Sequence, residues 1–151
     1  NREWLSAALS ATNEVGLTIK PAAIEHPSQL STALTALLPE IDVLWLIPDP
    51  NVITSRESAK MISQQSAQLK KPVFAYGKAF NDFALLSISA DIPTMGQQVA
   101  NLANQLLKKQ QAPDHVIYPA GTYISLNMKI LKAYQIQLNN EALDSVNEII
   151  E

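Results

Sequence analysis

Residues 41–49 read I-D-V-L-W-L-I-P-D, and this stretch decides how the rest of the chain is interpreted. Its uncharged residues, 43–48, lie between two aspartates and are rich in branched and aromatic side chains. Such a run is typical of a strand buried on both faces of a parallel sheet. The P-D-P-N sequence at 48–51 then ends the strand.

Ligands of open α/β sheets lie beyond the carboxyl ends of the strands. Asp49, with Asn51 two residues further on, is therefore where we expect a ligand-contacting group. The alternative is that Asp49 only shapes the turn from strand to helix, and the local pattern by itself favours that interpretation.

Length and composition limit the class of protein. The chain has 151 residues, of which 47% are hydrophobic and 17% charged, which predicts one globular domain over residues 1–151. The 11 basic residues are scattered and the net charge is −3, so the sequence has no electrostatic footprint for nucleic acid. No apolar run approaches the roughly 20 residues of a membrane span. Because cysteine is absent, disulfides, thiolate metal sites and cysteine nucleophiles are excluded.

Helical and strand periodicities alternate along the chain. This alternation predicts an α/β fold with a mainly parallel sheet and helices on both faces. The predicted strands cover residues 17–24, 42–47, 72–76, 84–89 and 123–126. The predicted helices cover the first 15 residues, a segment from 27 to about 38, and residues 53–69, 94–109, 127–134 and 141–150. The helix at 94–109 is predicted to turn an apolar stripe towards the core, formed by Met95, Val99, Leu102, Leu106 and Leu107.

The sequence lacks the usual signatures of catalysis and of bound cofactors. The two histidines, His26 and His115, are far apart, have no second ligand at metal spacing and are interpreted as surface residues. G-x-G-x-x-G and G-x-S-x-G do not occur, so a dinucleotide loop and a nucleophile elbow are not expected. We therefore predict no enzyme activity, no catalytic residues, no cofactor and no metal.

Three aspartates flank predicted strand ends: Asp49, Asp82 and Asp91. All three could face one crevice, where two of them could act as an acid/base pair. The alternative is turn and helix-cap chemistry, with Asp91 as the N-cap of the helix at 94–109.

Aromatic residues cluster around the same strand ends. Trp45 and Phe74 are expected in the core, whereas Tyr76 and Phe80 lie at or beyond a strand end and are the better candidates for lining a ligand pocket.

Six segments in order resemble the ABC-transporter substrate-binding protein family whose better-known members bind aromatic amino acids. I-D-V-L-W-L-I-P-D is similar to the family pattern D-A-[LI]-[YW]-[VL]-P-x-D, K-K-P-V-F-A (70–75) to I-P-V-F-A, and A-L-L-S-I-S-A-D (84–91) to A-L-A-T-Y-G-x-D. M-G-Q-Q (95–98) resembles L-G-R-Q, S-L-N-M-K-I-L-K-A-Y-Q-I (125–136) resembles x-x-N-L-K-T-A-K-x-L-G-I, and E-A-L-D-S-V-N-E-I-I-E (141–151) resembles E-L-L-x-x-A-D-E-V-I.

This resemblance implies the type I periplasmic-binding-protein fold, which has two lobes and a ligand cleft between them. The chain would correspond to the C-terminal half, starting at the first helix of the second lobe, with the N-terminal lobe missing. The helix at 94–109 would then be expected to pack in the first lobe, or against a second copy of the chain as a homodimer.

Carried over by position, Asp49 would meet a ligand's amino group, and Ser87 and Asp91 would line the same cleft at the hinge. The sequence departs from the family at Pro50, in the Y-G-K-A-F loop (76–80) and at the I-P pair (92–93), so ligand identity stays open.

The resemblance implies a solute-binding component of an ABC-type importer, in the periplasm or tethered outside the membrane. It would bind a small molecule, such as an amino acid, and would cooperate with permease subunits. The alternative is a sensory or protein-interaction module that reuses the fold with a degenerate pocket.

Overall fold

A computed structural model describes residues 2–108 and 116–151. Its α-helices are α1 (Arg2–Glu14), α2 (Leu30–Leu37), α3 (Arg56–Gln68), α4 (Ile92–Leu107), α5 (Met128–Tyr134) and α6 (Asn140–Leu143). Its strands are β1 (Leu44–Trp45), β2 (Val73–Ala75), β3 (Leu86–Ala90), β4 (Thr122–Asn127) and β5 (Glu148–Ile150). Single turns of 3₁₀-helix occur at Pro27–Gln29, Leu38–Glu40 and Lys78–Phe80.

The five strands form one sheet in the order β1-β2-β3-β4-β5. β1 with β2, β2 with β3, and β4 with β5 are parallel, whereas β3 and β4 are antiparallel, with Ala90 opposite Thr122 and Leu86 opposite Leu126. Three of the four pairings are thus parallel, and the prediction of a mainly parallel α/β sheet is confirmed.

Helices α2 and α3 cover one face of the sheet. One buried cluster lies between the first two strands and these helices. The strands and their flanks contribute Leu44, Leu46, Val73 and Ala75. The two helices and the segments that follow α2 and β2 contribute Leu30, Leu34, Leu38, Ile62, Phe80 and Ala84. Each fully buried leucine or isoleucine contributes about 1.5–3 kcal/mol through the water it excludes.

The buried side of α3 differs from the predicted stripe. Ser55 caps the helix by accepting hydrogen bonds from the backbone N–H groups of Glu57 and Ser58. Ser58, Ile62 and Ser66, spaced four residues apart, are buried. The helical periodicity of residues 53–69 predicts an apolar stripe formed by Ile53, Ala59, Ile62, Ala67 and Leu69. Ala67 and Leu69 are exposed, so that part of the prediction was wrong.

Helix α5 covers the opposite face of the sheet. Leu85, Leu126 and Leu131 form a second buried cluster, against which Phe74 and Leu86 pack. Asn127 caps α5 through its side-chain oxygen, which accepts from the N–H groups of Lys129 and Ile130, as expected of a helix N-cap. The prediction of helices on both faces is confirmed.

Strand β1 lies at an end of the sheet order rather than in its centre. Leu44 and Leu46 are buried beneath α2 and α3, but Trp45 points to the other face and is 49% exposed. The predictions that this strand is buried on both faces and that Trp45 belongs to the core were therefore wrong. An apolar run alone does not reveal which neighbour covers each face.

Two further element predictions were wrong. Residues 17–24 form no strand, and Pro21, which has no N–H to give to a ladder, lies inside that stretch. Residues 141–150, predicted as one helix, instead form α6 and β5, because Ile149 pairs with Leu126 of β4. Pairing with a neighbouring strand overrode helical periodicity.

Helix α4 spans the predicted region, but its apolar stripe is not in the core of this chain. None of its side chains is buried, and Val99 is 62% exposed. Within the described part of the chain, no helix is long and apolar enough to span a bilayer.

Candidate functional site

Three neighbouring parallel strands end at one edge of the sheet. Asp49 follows β1, Tyr76 follows β2 and Asp91 follows β3. Because the carboxyl ends of parallel strands lie on the same side, the sheet topology brings these residues to one edge, the carboxyl edge. This arrangement places two carboxylates and an aromatic ring where ligands of α/β sheets bind.

Asp49 is held in a tight turn. Its Oδ1 accepts a hydrogen bond from the backbone N–H of Asn51 at 2.8 Å, and its carbonyl oxygen accepts from Val52 at 3.2 Å and Ile53 at 3.4 Å. Asp49 therefore shapes the turn after β1, and whether it does only that is not decided by these bonds. The half-buried carboxylate is fixed in position by this turn, and ligand contact by Asp49 and Asn51 stays a prediction.

The two aromatic pocket candidates differ in burial. Tyr76 is half-buried, whereas Phe80 is only 7% exposed and belongs to the core cluster of β1, β2, α2 and α3. The rings meet edge to face with centroids 4.9 Å apart, and Phe80 meets Phe83 in the same way at 5.9 Å. Phe80 therefore backs Tyr76, which is the aromatic side chain nearer solvent.

Ser87 lies inside the sheet beneath the loop that joins β2 to β3. It is 2% exposed, and its hydroxyl donates to the side-chain oxygen of Asn81. Asn127 donates from Nδ2 to the carbonyl of Asn81 at 2.8 Å, so two buried polar groups hold this loop. The predicted contact between Ser87 and a ligand remains a prediction.

Asp91 occupies the N-cap position of α4, as predicted, but its side chain accepts no hydrogen bond from the backbone N–H groups of the helix. Its Oδ2 accepts a hydrogen bond from the hydroxyl of Thr94 at 2.6 Å, and its backbone N–H donates to the carbonyl of Gly121 at 3.0 Å. Asp91 therefore lies where the chain leaves the sheet for α4 and where residues 116–121 return to it.

Asp82 is not part of the carboxyl edge. Asp82 is exposed and lies four residues before β3. The amino end of β3 is close to the amino end of β2, because the N–H of Leu85 donates to the carbonyl of Val73. Asp82 therefore leads into the amino end of the strand, opposite to the carboxyl edge. The hypothesis that all three aspartates face one crevice therefore fails for Asp82.

His26 takes no part in the carboxyl edge. His26 caps the turn at Pro27–Gln29, accepting from the N–H of Ser28 at 3.3 Å, which agrees with a structural surface role. His115 lies outside the described residues. Among the described residues, no group of acidic or histidine side chains is arranged to hold a metal ion.

Sequence reasoning missed a charged cluster at the start of β4 and β5. The ammonium of Lys78 lies 3.7 Å from the ring centre of Tyr123 and 3.3 Å from Oε2 of Glu148, which also accepts from Ser125 at 2.7 Å. The hydrogen bond from Ser125, and then that from Lys78, lowers the pKa of Glu148. Lys78 and Glu148 are 70 residues apart, and only strand pairing brings them together.

A groove of about 510 Å³ lies away from the carboxyl edge, between α2 and α3. Its lining is mostly apolar and amide-bearing: Thr35, Leu38, Pro39, Met61, Gln64, Gln65, Gln68 and Leu69. It shares no residue with the candidate site.

Comparison with known proteins establishes the family. Residues 5–150 match the family described as ABC transporter substrate binding protein, so the chain belongs to this family. No curated protein sequence matches the chain.

Solved structures confirm the fold. A Streptococcus pneumonia ABC domain in complex with L-Trp matches with a TM-score of 0.74 at 18% identity, covering 99% of this chain and 51% of that one. A ligand-free, open substrate-binding protein with adhesive properties from Clostridium difficile has a TM-score of 0.72 at 19% identity, covering 99% and 50%. A conserved domain protein from Vibrio cholerae has a TM-score of 0.68 at 18% identity, covering 98% and 49%. The chain thus spans about half the length of the structures it matches.

Proposed function

We propose that this chain is the ligand-binding lobe of the solute-binding component of an ABC-type importer. Its ligand is a small molecule with an ammonium group, such as an amino acid, and it binds at the carboxyl edge. The observation that carries the proposal is the convergence of Asp49, Tyr76 and Asp91 at the ends of three neighbouring parallel strands. Family membership supports a binding role, since the family is one of substrate-binding proteins.

Each group at the edge has a role that follows from its chemistry. Two carboxylates favour a cation, and Asp49 and Asp91 provide hydrogen-bond acceptors for an ammonium group. The ring of Tyr76, supported by Phe80, offers apolar contact to the body of the ligand. In this proposal a first lobe closes over the open side of the edge, and permease subunits recognise the closed form outside the cytoplasmic membrane.

A sensory or protein-interaction module is the second candidate. The burial of Phe80 and Ser87 favours it, because both were expected at the ligand surface, whereas Phe80 packs in the core cluster and Ser87 is buried within β3.

The test is a thermal-shift screen of the full-length protein against the L-amino acids and other small metabolites. A ligand that binds only the folded state raises the melting temperature by mass action. Asp49→Asn removes the charge but keeps an oxygen that can accept from Asn51, so the turn is preserved. Asp91→Asn likewise keeps an acceptor for Thr94, and Asp82→Asn is the matched control away from the edge.

We expect one class of ammonium-bearing compound to raise the melting temperature of the wild type and of Asp82→Asn, and to raise that of the other two variants much less. Equal shifts in all four proteins would refute the assigned roles of Asp49 and Asp91. No shift with any compound, in a well-folded sample, would favour the interaction module.

A further inference from the structure

The chain crosses the carboxyl edge twice next to Asp91. It leaves through Ala90 and Asp91 into α4, and it returns through residues 116–121 into β4. The two crossings pair directly, because Ala90 lies opposite Thr122 and the N–H of Asp91 donates to the carbonyl of Gly121. The position of the Asp91 carboxylate therefore depends on where the returning segment lies.

Gly121 sets the spacing between these crossings. A Cβ atom built on Gly121 would lie 3.2 Å from Cβ of Asp91, 3.5 Å from its Oδ2 and 3.5 Å from Cβ of Thr94. Cβ of Asp91 is fixed to the backbone, so it cannot rotate away. Any side chain at position 121 would push the two crossings apart by a few tenths of an ångström, displacing the carboxylate and the Thr94 hydroxyl that binds it.

Gln98 fixes the returning segment from the other side. Its Nε2 donates to the carbonyl of Tyr118 at 2.9 Å, and its Oε1 accepts from the N–H of Ala120 at 3.2 Å. One amide side chain on α4 thus holds both ends of a three-residue stretch immediately before Gly121. These two bonds join the returning segment to α4, beside the apolar side chains of Met95, Ile117 and Pro119.

We propose that Gly121 and Gln98 are positioning residues that hold the Asp91 carboxylate in its ligand-binding orientation. Gly121 permits the close approach of the two crossings, and Gln98 keeps the returning segment in register with α4. Neither residue touches the ligand, and both act through Asp91. The inference rests on the proposed function, in which Asp91 binds the ammonium group.

The experiment compares Gly121→Ala and Gln98→Ala with two matched controls on α4 in the full-length protein. In Gly96→Ala the new Cβ meets no atom within 4 Å, and in Gln97→Ala an exposed amide neighbouring Gln98 is removed. The first readout needs no ligand: it is the carbon-13 resonance of the Asp91 carboxylate. The second is the Kd for L-amino acids, including L-tryptophan, by calorimetry. Thermal melting of each apo variant shows that it is folded.

We expect the resonance to move in Gly121→Ala and Gln98→Ala and to stay in place in both controls. The Kd of the tightest-binding amino acid should rise about tenfold in the two test variants and less than about twofold in the controls. In an Asp91→Asn background the same substitutions should change the Kd by less than about twofold, because their effect passes through that carboxylate.

The proposal would be overturned if the Asp91 resonance did not move in either test variant. It would also be overturned if Gly121→Ala and Gln98→Ala still raised the Kd tenfold in the Asp91→Asn background. If the wild type binds none of the amino acids, the proposed function fails, and the resonance alone then decides whether Gly121 and Gln98 position Asp91. If Gly121→Ala does not fold, Gln98→Ala carries the same test.

Discussion

The same face of the sheet has two chemistries. Under α2 and α3, the strands β1 and β2 present Leu44, Val73 and Ala75 to an apolar cluster. On β3, β4 and β5 the same face carries mainly polar side chains. Ser87 of β3 pairs with Ala75 of β2 on one side and with Ser125 of β4 on the other, and Ser125 pairs with Glu148 of β5. We call these two parts the apolar half and the polar half.

The difference separates stability from positioning. Apolar burial is non-directional and stabilises the sheet wherever volume is filled. Hydrogen bonds are directional, so the polar half fixes particular groups: Asn127 and Ser87 hold the loop after Tyr76 through Asn81, and Lys78 reaches Glu148. The candidate site borders both halves, with Asp49 next to the apolar half and Asp91 next to the polar half.

The largest effect is expected from removing volume in the apolar half. Ile62 is 0% exposed, and Ile62→Ala should lower the free energy of unfolding by about 2–5 kcal/mol through lost burial and a residual cavity. Urea denaturation measures this change. Leu69→Ala, at the residue that follows α3 and is 48% exposed, should cost less than about 1 kcal/mol. Similar losses in both variants would show that α3 does not depend on its buried face.

In the polar half, Asn127→Ala should cost about 2 kcal/mol, because it removes both the cap of α5 and the bond to the Asn81 carbonyl. Asn139 is the matched control, since it caps α6 through the N–H of Glu141 at an exposed site. Asn139→Ala should cost about 0.5 kcal/mol. Urea denaturation that ranked Asn139→Ala as the more destabilising would contradict the importance of the buried polar group.

Ser66 is a polar group on the apolar side, and its removal should stabilise the protein. Its hydroxyl is buried and has no hydrogen-bond partner among the described residues. Ser66→Ala is expected to raise the free energy of unfolding by about 1 kcal/mol, from relief of desolvation and better helix propensity. Ser63→Ala on the same helix should show only the smaller propensity gain. A loss of stability in Ser66→Ala would indicate a partner such as a buried water molecule.

The smallest effect is a pH dependence at Glu148. The hydrogen bond from Ser125, followed by that from Lys78, lowers the pKa of Glu148 below its ordinary value of 4.5. A carboxyl with a lowered folded-state pKa adds stability above its unfolded pKa, and this stability is lost as the pH falls through the folded value. The melting temperature of wild type should therefore exceed that of Glu148→Gln at about pH 7, and the two should converge near pH 3. A constant difference across this range would show that the charge of Glu148 is not involved.

Much of the fold could be predicted from local patterns. Helix α3, strand β2 and the N-cap position of Asp91 all follow from periodicity and cap residues within a few positions of each other. The candidate site was predicted at Asp49, Tyr76 and Asp91 for the same reason, because each lies at or shortly after the end of a predicted strand.

The misses share a physical cause. The end of the chain has helical periodicity, yet Glu148–Ile150 becomes a strand because β4 offers it a ladder. Ser66 is polar, yet it is buried together with Ser58 and Ile62, because the packing of α3 on the sheet covers the side that carries all three residues. Phe80 follows a strand end, as a pocket residue would, but the turn directs its ring into the core.

The sequence by itself determined the family, the alternation of strands and helices, and the three positions that end at the carboxyl edge, since each of these depends on residues close together in the chain. Only the tertiary structure decided that β1 is an outermost strand of the sheet, which side of α3 is buried, and which groups distant in the sequence are in contact. Lys78 contacts Glu148, Gln98 holds residues 118–120, and Gly121 approaches Asp91 because strand pairing brings together segments up to 70 residues apart. No local pattern encodes such contacts, because their energies arise from partners that only the folded chain supplies.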